Sequence, residues 1–211
     1  MRRPNDDHLA EPFRVHELAS DFELLDVWRY PIVAPADVSL DTFLEFMTAS
    51  QRALVTGSGP AALLFRLRGF LGQVFGWDRD PGPPRGPSPD PESIRARLPL
   101  EEQAVDAAEG LPIEGEIGFE AIYRSERESL GEIRNTTVHA LMHIGRVDVE
   151  GGWSPQMAVY VKPRGGFGRL YMAAIGPFRH AIVYPAMMRA AAKGWPPFLA
   201  AHRRASPAPD A

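Results

Sequence analysis

The sequence predicts one α+β domain of the helix-grip type, in which an antiparallel β-sheet curls around a long C-terminal α-helix, with two helices inserted after the first strand. Three observations carry this. Apolar residues recur at helical spacing over residues 60–77. From about Phe119 to Pro163 they alternate at period two, in short runs separated by polar or glycine-containing turns. They then return to helical spacing near the C-terminus, and strands and helices do not alternate as they would for a parallel sheet.

In chain order, DFELLDVWRYPI is the opening strand, with Phe22, Leu24, Trp28 and Tyr30 as its large residues and Pro31 as its end. Ser39 or Asp41 then caps a helix bearing Phe43, Leu44, Phe46 and Met47. Pro60 suits the first turn of a second helix carrying Leu63, Leu64, Leu67, Phe70, Leu71, Val74 and Phe75. Residues 79–92 are a Pro/Gly-rich loop in which neither helix nor strand can propagate. FEAIYRS, SLGEIRN, TVHALMHIGRV and PQMAVYVKP follow as a meander. Past Gly165, Gly166 and Gly168 the terminal helix begins, kinked or restarted by Pro177 and Pro185. The domain spans residues 13–200, and the polar ends, 1–12 and 201–211, are expected to be flexible.

Composition narrows the function. The 211 residues carry 23 basic and 27 acidic side chains, a net charge of −4, so no global positive field draws in nucleic acid. Cysteine is absent, which removes disulfides, thiolate nucleophiles and Cys-ligated metals. The two early arginines precede no apolar leader, and no run approaches the roughly 18 apolar residues of a membrane span. A cytoplasmic location without membrane association is the expectation.

The segments HELASDFELLDVWRYP, IRNTTVHALMHIGRV, QMAVYVKP and GRLYMAAIGPFRHAIVYPAMMR closely resemble a bacterial family of unknown function, DUF2867. The resemblance runs from about residue 13 to 195, omitting the proline-rich loop, and its TVHxxMH and PFRHxIVYPAxMR strings are specific. It implies membership of the START-like, polyketide-cyclase-like (SRPBCC) superfamily, whose sheet and terminal helix enclose a hydrophobic ligand. That superfamily includes cyclases, hydrolases, lipid carriers and plain binding proteins, so the resemblance carries no catalytic residues across. Some relatives place this domain behind a dinucleotide-binding one, but no strand-linked GxGxxG occurs here and no cofactor is implied.

The residues themselves offer several candidate groups. His139 and His143 lie four apart on a predicted strand, on one face but about 13 Å apart, too far to share a metal ion. Their face opposes the more apolar one of Val138, Ala140, Met142 and Ile144. They point either to solvent or a covering helix, or into the cavity with Thr137 as handles on a ligand carbonyl. Gln156, Tyr160 and Lys162 form the corresponding polar face of the next strand. If the two faces coincide, His139, His143 and Tyr160 are the candidates for acid–base catalysis. His180 and Tyr184, one helical turn apart, and Tyr171 could each turn a polar tip inward. Arg134 and Arg179 could clasp a carboxylate, although Glu126, Glu128 and Glu132 offer internal partners. The glycine-rich GSGP and RGGFGR are explained by turns before helices, and Asp21, Glu23 and Asp26 have no evident partner.

The leading expectation is non-covalent binding of a small apolar or amphipathic molecule in an internal cavity. A cofactor-free cyclase, dehydratase or isomerase is the second, and a protein-interaction module presenting the proline-rich loop the third.

Overall fold

The structure, a computed structural model, describes residues 1–56, 92–99, 119–134, 138–164, 176–177 and 179–205. Two short helices, α1 (Asn5–Leu9) and α2 (Val15–Leu18), precede strand β1 (Glu23–Arg29) and helix α3 (Leu40–Thr56). A 3₁₀ turn (Ile94–Arg97) leads to strands β2 (Glu120–Arg124), β3 (Glu128–Arg134), β4 (Val138–Val149) and β5 (Gly152–Pro163). A π-helical turn (Arg179–Val183) then opens into the long helix α4 (Tyr184–Ala205). The predicted second helix, most of the proline-rich loop, Thr137 and Tyr171 lie outside the described residues.

The architecture is α+β, as the sequence predicts: five antiparallel strands in the order β1-β5-β4-β3-β2, and a long C-terminal helix. Strands β2 to β5 are a meander, and β1 adds to its far edge. Helix α3 is capped as expected, since Ser39 Oγ accepts the Thr42 amide at 3.2 Å. Helix α4 continues through Pro196 and Pro197. Two missing N–H donors weaken it there, but aromatic packing offsets the loss. Trp195 stands 5.8 Å from the Phe43 ring and 5.4 Å from Phe46, and Phe198 packs 5.3 Å from Phe46.

Both faces of the sheet are covered. Alternation sends Trp28, Tyr30, Ile144 and Met157 to one side, where they pack with Phe43, Phe46, Met188 and Trp195 of α3 and α4. Val27, Leu130, Leu141, Val147, Ala158 and Tyr160 point to the other side, against Phe13, Val15, Leu18 and Ile94. The cover on this second side comes largely from the N-terminal segment. Residues 1–12, set apart from the domain by their polarity, run beside β1 and occupy its outer edge. Arg3 N donates to Val27 O at 2.9 Å and Arg29 N to Met1 O at 2.8 Å, which leaves less of an open strand edge. His8 within α1 is fully buried.

Candidate functional site

The polar faces of β4 and β5 coincide, because His143 pairs with Ala158 and Leu141 with Tyr160 across the ladder. That face looks toward the N-terminal cover, on the opposite side of the sheet from α4. The outcome matches the reading in which a covering helix meets the histidines, and it places them away from the space between sheet and terminal helix.

Strand β3 sets a glutamate diagonally opposite each histidine, since Glu128 pairs with Gly145, Leu130 with His143, Glu132 with Leu141 and Arg134 with His139. His143 Nε2 is 2.9 Å from Glu128 Oε2, and His139 Nε2 is 2.6 Å from Glu132 Oε1. Each glutamate also anchors a covering segment. Glu128 accepts the Arg14 amide at 2.7 Å, ahead of α2, and the Tyr123 hydroxyl at 2.8 Å. Glu132 accepts the Ile94 amide at 2.9 Å and the Ser93 hydroxyl at 2.6 Å. Burial alone would raise the Glu128 and Glu132 carboxyls, but these donors outweigh it and hold both below the usual carboxylate range. Burial depresses His143, despite the opposing pull of Glu128. A neutral imidazole donating from Nε2 to a carboxylate satisfies both directions.

Beside this pair runs a hydrogen-bond chain whose direction follows from donor chemistry. The Arg29 guanidinium has only donors, so at 2.9 Å it meets Gln156 Oε1, which leaves Gln156 Nε2 to donate to His8 Nδ1 at 3.1 Å. His8 Nε2–H then donates to Tyr160 Oη at 3.0 Å, Tyr160 to His16 Nδ1 at 3.1 Å, and His16 Nε2–H to Glu11 O at 3.0 Å. His8 must be neutral for the sequence to close. Accordingly burial, then repulsion from His143 and His16, lowers its pKa to about 3. Burial and the Glu128 charge raise that of Tyr160. A Cβ at Gly145 would collide with the Phe13 ring and the His143 imidazole, so any side chain here must displace one of them.

The three acid–base candidates, His139, His143 and Tyr160, thus hold the cover in place, as does Gln156. Lys162 stands apart, paired with Asp21 at 2.9 Å on the surface. Asp21 also meets Arg97 at 2.6 Å, so this carboxylate has partners the sequence did not reveal. Arg134 lies 3.3 Å from buried Glu132, one of the internal partners the sequence offered, and 3.7 Å from Glu120.

A second cluster lies on the α4 side. A bulge at Leu25 shifts the β1 register, so that Leu24 pairs with Tyr160 but Asp26 with Val159, and Asp26 turns toward the terminal helix. There its carboxylate, fully buried, receives His180 Nε2 on Oδ1, Arg179 Nη2 at 3.2 Å and the Tyr184 hydroxyl at 3.5 Å on Oδ2. Trp28, two residues on, stands 5.1 Å from the Tyr184 ring and 6.5 Å from His180, stacked on the latter. Burial and the Asp26 charge push Tyr184 up to about 12, against the pull of Arg179. The predicted residues His180 and Tyr184 are therefore brought together, and Asp26, Trp28 and Arg179 complete the group. Two donors in it, Trp28 Nε1 and Arg179 Nε, are buried without a hydrogen-bond partner among the described residues. The side chain of His180 is 31% exposed.

These features define an α+β protein with a five-stranded antiparallel sheet, one face sealed by its own N-terminus and the other set against a terminal helix with a polar cluster at its start. The chain belongs to the DUF2867 family, described as proteins of unknown function, which matches residues 18–186. Comparison with curated proteins and with solved structures gives no match. No helix among the described residues is long and apolar enough to cross a membrane.

Proposed function

We propose that the chain is a START-like, helix-grip protein of the cytoplasm that binds a small apolar or amphipathic molecule between its sheet and terminal helix, non-covalently. Trp28, Arg179, His180 and Tyr184 orient the ligand around Asp26. The order of elements and the apolar residues around the cluster support this reading, and one observation carries it. Trp28 Nε1 and Arg179 Nε are buried donors without a hydrogen-bond partner among the described residues, in the same cluster as a partly exposed imidazole. An unpaired buried N–H costs about 1–3 kcal/mol, which an acceptor atom of a bound molecule would recover.

Organic extraction of protein purified from its native host, followed by mass spectrometry, tests the proposal. A small molecule recovered in near-stoichiometric amount from the native chain, and depleted from Trp28→Phe and Arg179→Gln chains of unchanged fold, is the expected result. Equal recovery from all three chains, or none from any, overturns it.

A further inference from the structure

We propose that Asp26 and His180 form a carboxylate–imidazole dyad that removes a proton from the carbon next to a carbonyl group, the carbonyl oxygen being held by Trp28 and Arg179. The inference rests on the binding reading above and adds to it a substrate class and a reaction.

Charge identifies the substrate group. The one charge of Asp26 is matched by Arg179, whose Nη2 lies 3.2 Å away. A ligand carboxylate would place a second, unmatched negative charge beside a fully buried one, at a high desolvation cost. A neutral carbonyl oxygen has two lone pairs and can accept N–H donors of this kind, which lack partners among the described residues, without that cost. Trp28 is 7% exposed and Arg179 15%, so these donors act where water competes little.

The same cluster supplies the base. Asp26 Oδ1 engages His180 Nε2, which fixes the tautomer and stabilises the imidazolium that forms on proton uptake. Nδ1 of His180 has no partner among the described residues, and the ring is 31% exposed. The π-helical turn sets Arg179 and His180, consecutive residues, on the two oxygens of one carboxylate. Turns of this kind are frequent at functional sites.

The step balances within the ligand. His180 Nδ1 takes the α-proton, the C–H electron pair becomes the enolate double bond, and the carbonyl π pair moves to oxygen, which accepts from Trp28 and Arg179. The imidazolium then returns the proton to the same carbon, or to the γ-carbon of an unsaturated ketone. The first path exchanges or inverts the centre and the second moves a double bond, and neither needs a co-reactant. His180 is the catalytic base and Asp26 a positioning residue.

The test uses 2-decanone with the full chain in deuterated buffer. Binding is followed on the Trp28 indole N–H resonance, assigned with Trp28→Phe, and α-deuteration by mass spectrometry. The expected result is a shifted indole signal with exchange about 10²-fold above the buffer rate. The rate should fall to the buffer level in His180→Gln. In Asp26→Asn, where it folds, exchange should slow while the indole shift keeps the same dependence on ketone concentration, because the carboxylate that fixes the imidazole tautomer is gone. A shifted indole signal without exchange, or exchange unchanged in His180→Gln, overturns the dyad and leaves carbonyl binding in place. An indole signal unmoved at saturating ketone overturns the carbonyl class itself.

Discussion

The hydroxyl of Tyr160 lies 3.0 Å from Nε2 of His8, a residue 152 positions earlier in the chain. It is the point at which the N-terminal cover and the central part of the sheet share a proton-defined contact, with His16 on its other side at 3.1 Å. Replacing Tyr160 with Phe keeps the ring and removes that point, leaving an unpaired donor on His8 and an unpaired acceptor on His16. The expected loss is about 1–3 kcal/mol, seen as an earlier urea midpoint with an unchanged slope. A steeper or shallower slope would instead indicate a change in the compactness of one of the end states.

Acid should weaken the fold before any carboxylate protonates. His8 titrates near its ordinary value of 6.5 when unfolded but at about 3 when folded. Below 6.5 the unfolded chain therefore binds a proton that the folded chain refuses. Stability is fully present above pH 6.5 and is lost as pH falls toward 3, at about 1.4 kcal/mol per pH unit for this group. His143, also depressed by burial, adds a loss of the same sign. Unfolding free energies measured at pH 7.5, 6 and 5 should show the slope, and His8→Gln should flatten it.

Gly145 can be tested through its neighbour. An alanine methyl there would collide with the Phe13 ring and the His143 imidazole, and the flexible partner should give way. Gly145→Ala is expected to cost about 1–3 kcal/mol and to open the N-terminal segment to limited proteolysis. Adding Phe13→Leu should restore part of the loss. Independent, additive effects of the two changes would show that the contact is not the cause.

The two glutamates of β3 should be separable by amide exchange. Glu132→Gln should accelerate exchange of the Ile94 amide, which donates to it at 2.9 Å, while the Arg14 amide stays protected. Glu128→Gln should do the reverse, since the Arg14 amide donates to that carboxylate at 2.7 Å. Each loss of a charge-assisted bond is expected to cost about 1.5–3 kcal/mol. Parallel acceleration at both amides in both variants would mean that the cover opens as one unit.

Period-two patterning sufficed to place β2 to β5, and antiparallel pairing then put Gln156 and Tyr160 on the face of His139 and His143. What covers that face could not be read in the same way. Helices α1 and α2 have five and four residues, too few turns to display a 3.6-residue repeat, and their polarity resembles that of a loose end. Asp26 was obscured by the bulge at Leu25, which changes the parity of β1 midway along the strand. Its partner His180 is 154 residues away, and no local spacing rule connects them. The polar groups legible in the sequence were thus those fixed by strand alternation. Those fixed by long-range docking had no local signal.

Family similarity begins at residue 18, whereas His8, Phe13 and His16, which seal one side of the sheet, precede it. A boundary drawn by likeness and one drawn by packing therefore disagree. A chain begun at residue 18 would bare Leu141, Ala158 and Tyr160, strip the Arg14 and Val15 amides from Glu128, and free the outer edge of β1. Such a fragment would offer neighbouring molecules both an apolar plane and a strand to pair with, a recipe for aggregation. Any fusion or truncation of this protein should keep the first residues as part of the folded body.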